Sequence, residues 1–236
     1  MSMLKNKNNA DAFNSWYLTG SIVVSLVVAA VGYSIQFIIY PDYFLSVNPA
    51  IPYLFRAIRM LLGYVIVPII FLQTTEIALS ELGFNNTGGK ELLLAFFGGV
   101  LIYLVPGYIF VKFHIFTSEW YGYDLWQSLF YLSLIGLMAG ITDFWTRGYI
   151  LLMLNRKYGA TVAIIGQNLL WFGIHMYEIL LISPYIGLVS AITLTLFLGI
   201  TGDLLTLHTR NISGLIVGHV ILNLLIMLGG QGLISW

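Results

Sequence analysis

The sequence predicts an all-α fold: a polytopic integral membrane bundle of about seven transmembrane helices. Three observations predict it. Only 8% of the 236 residues are charged, against about 25% in a soluble domain. Hydrophobic residues make up 59%, so lipid rather than water suits most of the surface. Apolar runs then follow one another along the chain, each close to the ~20 residues that a crossing helix needs.

Each span has its own justification. Span one, 17–40, follows a polar segment with Lys5 and Lys7. It exceeds the roughly 7–15 apolar residues of a signal-peptide core, so it reads as a retained anchor. PDYFLSVNPAIP separates it from span two, 59–79, and SELGFNNTGGKE precedes span three, 92–112. HIFTSEWYGYD leads into span four, 126–153, and NRKYGA into span five, 161–181. SPY and LHTRN introduce span six, 186–205, and span seven, 212–230. Such Gly, Pro, Asn and Ser clusters punctuate helices. The sequons at Asn85 and Asn211 read as chance matches in short loops.

Charge gives an orientation and excludes some partners. Lysine plus arginine equals aspartate plus glutamate, so no basic field invites nucleic acid. Cysteine is absent, which excludes disulfides, thiolate nucleophiles and Cys-ligated metals. Lys5, Lys7, Lys90, Arg156, Lys157 and Arg210 fall on one side, and Arg56, Arg59 and Lys112 on the other. The positive-inside rule then expects a cytoplasmic N-terminus, with Trp236 outside the cell membrane. Trp16, Trp120, Trp126 and Trp236 suit interfacial anchors.

Polar groups inside the spans carry the functional signal. A buried charge in a span costs about 2.5 kcal/mol or more, so it persists facing protein or a wet cavity. Asp143 and Arg147 lie on span four, His175 and Glu178 on span five, and His219 and Asn223 on span seven. Spans one and three have no such group at their centres. Glu76 and Asp203 are expected near span ends, within reach of water. Asp143 and Arg147 are four apart and share a face, as do His219 and Asn223. Gln167, Trp171 and His175 repeat every four residues with Asn168 beside them, a polar stripe. A ~1.5 Å rise per residue puts Asp143 roughly 15 Å, His175 roughly 21 Å, His219 roughly 11 Å and Asn223 roughly 17 Å into the bilayer. Gly136 with Gly140, and Gly214 with Gly218, would let the helices carrying these groups pack closely.

Two imidazoles, an amide and a carboxylate in a sheltered pocket suffice for hydrolysis. A base takes a proton from water, and donors hold the oxyanion that forms. The motifs are T-D-F-W-T-R at 142–147, W-F-G-I-H at 171–175 and H-V-I-L-N at 219–223. In order and location they resemble the CPBP family of intramembrane proteases, which includes CAAX prenyl endopeptidases and bacteriocin-immunity-type proteins. The resemblance covers about residues 126 to 230. It implies a partition into variable N-terminal helices, 1–125, and a four-helix core, 126–236, that holds the site.

The resemblance also implies roles. His175 would help activate water, while His219 and Asn223 would hold the oxyanion. Arg147 and Trp171 would support them, Trp171 standing where the family has Phe. The family's Glu-Glu pair becomes Thr142 and Asp143, and a threonine cannot serve as the base. Asp143 could take that role, or Glu178 could, or the site could have lapsed. The expectation is an endopeptidase acting on a membrane-associated peptide or protein. The alternative is a degenerate member that binds such a partner in an immunity or regulatory role. No cofactor is expected. A zinc site on His175, His219 and a carboxylate ranks below that, since no His-Glu-x-x-His is present. A transporter also ranks lower, for want of an internal repeat. Asp143 with Arg147 as a purely structural ion pair is the plainest competing reading.

Overall fold

In the computed structural model, the described residues are 15–39, 50–73, 77–84, 88–115 and 123–234. Lys5, Lys7, Glu76, Asn85, Trp120 and Trp236 lie outside them.

Backbone amides in hydrocarbon must bond within their own segment, so the apolar runs fold as helices. In order these are α1 (Ser15–Ile39), α2 (Ala50–Leu61), α3 (Val67–Leu72), α4 (Gly89–Lys112), α5 (Leu125–Asp143) and α6 (Leu152–Tyr158). After them come α7 (Ala160–Ile174), α8 (Met176–Ile186), α9 (Leu188–Thr209) and α10 (Ser213–Gly230). A π-helical turn, Leu62–Ile66, joins α2 to α3, and a longer one, Phe144–Leu151, joins α5 to α6. No strand forms among the described residues; Phe84 and Asn211 make an isolated antiparallel bridge. The all-helical membrane bundle is as expected.

Among the described residues, six stretches are long and apolar enough to cross a membrane: Trp16–Ile35, Tyr53–Leu72, Gly89–Lys112, Leu125–Tyr158, Leu188–Thr209 and Ser213–Gly230. Large apolar side chains such as Val27, Leu101, Leu137 and Val189 are exposed along them, as a lipid-facing surface requires. Span four continues to Tyr158, because the π-helical segment carries the helix on without a break. Its 34 residues measure ~51 Å, well beyond a ~30 Å hydrocarbon core.

Span five departs from the expected single helix. α7 and α8 meet at an angle of 72°, with His175 at the joint (φ −99°, ψ 8°). The His175 amide bonds to the Trp171 carbonyl at 3.1 Å. Its ring Nδ1 lies 2.9 Å from the same oxygen. A side chain that competes for the backbone's acceptor offers an alternative to continued helix.

The joint is nevertheless part of one crossing. Arg156 pairs with Glu81 at 2.6 Å, and the Ile212 amide bonds the Gly83 carbonyl at 2.8 Å. The segments after spans two, four and six therefore share one end of the bundle. α9 ends there after 22 residues, a ~33 Å helix. Its start lies at the opposite end, so the chain between Tyr158 and Leu188 passes from one end to the other.

Glycine sets the closest helix contacts. A Cβ on Gly99 would collide with the backbone of Gly214, and one on Gly218 with the Gly99 carbonyl. α4 and α10 thus touch backbone to backbone. Gly136 and Gly140 face Val220 and Ile216 across the α5–α10 contact. On the other flank, Tyr64 stacks on Trp145 at 4.2 Å, and Ser21 Oγ and Tyr149 OH are 2.6 Å apart.

Candidate functional site

Asp143 is the last residue of α5, and its side chain is fully buried. One oxygen, Oδ1, pairs with the Arg147 guanidinium one turn further on. The Tyr103 hydroxyl reaches the same oxygen at 3.4 Å. The other oxygen, Oδ2, lies 3.1 Å from His219 Nδ1. A buried charge is tolerated when paired and bonded in this way.

Arg147 is held on every side. Its Nη1 donates to Tyr103 OH at 3.3 Å and its Nη2 to the Leu198 carbonyl at 2.9 Å. Asp203 Oδ1 is 3.6 Å from Nε. The Trp171 ring lies 4.1 Å from the guanidinium carbon. α9 makes room with small residues: a Cβ on Gly202 would sit 2.6 Å from Arg147 Nε, and one on Gly199 would strike Asn168.

Trp171 carries the contacts onward to α7. Its Nε1 donates to the Thr195 carbonyl at 3.2 Å, and its ring lies 3.9 Å from that of His175. A carbonyl only accepts, so the Trp171 carbonyl fixes the proton of His175 on Nδ1. Nε2 then keeps its lone pair in the neutral ring. His219 stacks on Tyr103 at 4.6 Å with the rings 12° apart. With His219 Nδ1 turned to Asp143, its Nε2 is the nitrogen left for a ligand. Asn223 Nδ2 donates to the His219 carbonyl at 2.9 Å.

The expected site residues thus join into one chain of contacts: His175, Trp171, Arg147, Asp143, His219 and Asn223. Thr142 lies beside it with its hydroxyl bonded to the Met138 carbonyl at 2.9 Å. Its own carbonyl accepts from Thr146 Oγ1 at 2.7 Å. Glu178 sits in the first turn of α8, beyond the bend and off the continuous face expected for span five. Its Oε2 is buried without a hydrogen-bond partner among the described residues.

Three polar residues change the sequence-based picture. Tyr103, on a span expected to lack a central polar group, touches Asp143, Arg147 and His219. The signal was Gly99, one turn before it, since the close α4–α10 contact sets that register. Asp203 was expected to meet water near a span end, yet it is 0% exposed. Gly199 and Gly202 let α7 and the π-helical segment close over it, and Asn168 donates to its Oδ2 at 2.8 Å. Gln167 is buried with neither amide atom bonded.

Among the described residues, no group of three or more histidine, cysteine or acidic side chains could hold a metal ion. The two histidines spend Nδ1 on different partners, a carbonyl and a carboxylate, and no trio of ligands converges.

A family model described as Rce1-like, "Type II CAAX prenyl endopeptidase Rce1-like", matches residues 125–225. Over those residues the chain is similar to that family. The match begins at the start of α5 and contains Asp143, Arg147, Trp171, His175, His219 and Asn223. It bears out the resemblance drawn from the three motifs. Tyr103 contributes to the cluster from outside the matched residues. No curated protein and no solved structure matches the chain.

Proposed function

We propose that the Rce1-like domain is an intramembrane endopeptidase acting on a membrane-associated peptide. The observation that carries this reading is the unequal bonding of the two histidines. His175, with Nδ1 on a carbonyl, offers Nε2 as an acceptor to a water molecule. His219, with Nδ1 on a carboxylate, can carry a second proton on Nε2 and donate it to an oxyanion, Asp143 being the counter-charge. Asn223 has a second amide hydrogen for the same task. One acceptor and two donors linked through Arg147 form the minimum equipment for hydrolysing an amide. Asp143 enters the site as the group that orients His219. The charge bias supports a cytoplasmic N-terminus, and the cell membrane is the location this reading assigns.

The test uses the full chain purified into bilayers and a panel of lipidated and unlipidated peptides. Wild type cleaves at least one class, and His219→Ala loses that cleavage while its thermal transition stays in place. Retention of full activity in His219→Ala removes the oxyanion assignment.

One observation favours a second reading, a degenerate member that binds a peptide or membrane partner without cutting it. Thr142 stands at the acid position, with its hydroxyl already bonded to Met138. That reading predicts no cleavage by wild type, specific partner capture, and a gain of cleavage in Thr142→Glu.

A further inference from the structure

We propose that Glu178 supplies the carboxylate that position 142 lacks and acts with His175 on the attacking water. The inference rests on the peptidase reading above.

The other carboxylates around the site are committed. Asp143 gives one oxygen to Arg147 and the other to His219. Asp203 gives one oxygen to Asn168, and its other lies in ion-pair range of Arg147. Among the described residues, Glu178 Oε2 is buried without a hydrogen-bond partner. A buried carboxylate oxygen without a donor is costly unless something else occupies it. Water or a substrate proton is the occupant the proposal assigns.

Position follows from the break in span five. His175 caps α8, an 11-residue helix, and Glu178 is the third residue inside it. An acid at the third position of a helix can reach back toward the cap residue. In an ordinary capping box the acid would bind the cap's own amide. The His175 amide is already bonded to Trp171, so the Glu178 carboxylate is not spent that way. Along the chain it is the nearest acid to His175. The start of α8 is also the positive end of a half-helix within a span, where a carboxylate is favoured. A continuous span five would have offered no such end.

The step balances. Glu178 takes one proton from water, whose other hydrogen bonds to His175 Nε2. The water oxygen attacks the carbonyl carbon, and the carbonyl electron pair moves onto oxygen beside His219 and Asn223. The C–N bond then breaks, and the proton held by Glu178 passes to the leaving nitrogen. No oxidant, reductant or metal is consumed.

The experiment compares kcat and KM on the peptide panel for wild type, Glu178→Gln, Glu178→Asp and the double variant Glu178→Gln/Thr142→Glu, each checked for an unchanged thermal transition. Glu178→Gln is expected to lose about 100-fold in kcat with KM little changed, the scale of a lost general base. Glu178→Asp keeps the charge and regains part of the loss, whereas the double variant regains more by restoring an acid at 142. A Glu178→Gln variant with wild-type kcat overturns the assignment and leaves the peptidase reading standing. So does a loss that neither second variant repairs, which marks a structural role. Wild type that cleaves nothing on the panel overturns both.

Discussion

His175 and His219 are the same residue type in one chain of contacts, yet the fold treats them as opposites. His175 lies at a break in its helix, against a tryptophan ring, with a neutral carbonyl at Nδ1. His219 lies within an unbroken helix, against a tyrosine ring, with a buried carboxylate at Nδ1. What an imidazole can do follows from the partner of its inner nitrogen. The comparison teaches that Asp143 and the Trp171 carbonyl set what each imidazole has left to offer.

The largest expected effect comes from erasing one side of that contrast. Asp143→Asn leaves Arg147 buried with Asp203 as its nearest counter-charge and should cost about 3 kcal/mol, the scale of a broken buried pair. Thermal unfolding in detergent measures it; an unchanged transition would mean that Asp203 takes over the pairing. Next is His219→Ala, expected to lower kcat by about 10²–10³, as loss of an oxyanion donor does. His175→Ala should match it in size but not in character, since an added small imidazole can replace a base more readily than an oriented donor.

Smaller effects test the scaffold that keeps the two rings apart. Gly202→Ala forces a methyl toward Arg147 Nε and should destabilise by about 1–3 kcal/mol; a neutral result would show that the guanidinium can shift. Trp171→Phe keeps an aromatic face for His175 but loses the bond to the Thr195 carbonyl, worth about 1 kcal/mol. Arg156→Ala breaks a half-exposed pair with Glu81 far from both histidines. It should change stability by less than about 1 kcal/mol and leave kcat alone, which makes it the control.

The sequence announced much of this through residue types that lipid does not tolerate idly. Asp143, Arg147, His175, His219 and Asn223 stood out because each is expensive in a span, and their spacings assigned them to shared faces. Tyr103 did not, because a tyrosine's ring suits lipid and hides its hydroxyl from such a search. Asp203 was misjudged by counting residues to the helix end. What decides its exposure is how closely α7 approaches, which Gly199 and Gly202 control. The bend at His175 lies beyond any periodicity argument: no proline marks it, and it depends on a side chain competing for a carbonyl in three dimensions. The bonding of Thr142 to Met138 is equally local, since a threonine in a helix can reach back four residues whatever else it replaces.

The kink between α7 and α8 has one more consequence. Peptide groups at a helix break inside hydrocarbon have no lipid partner and persist only where protein or solvent meets them. On the proposed peptidase reading, water that met such groups at the 72° turn would stand beside His175.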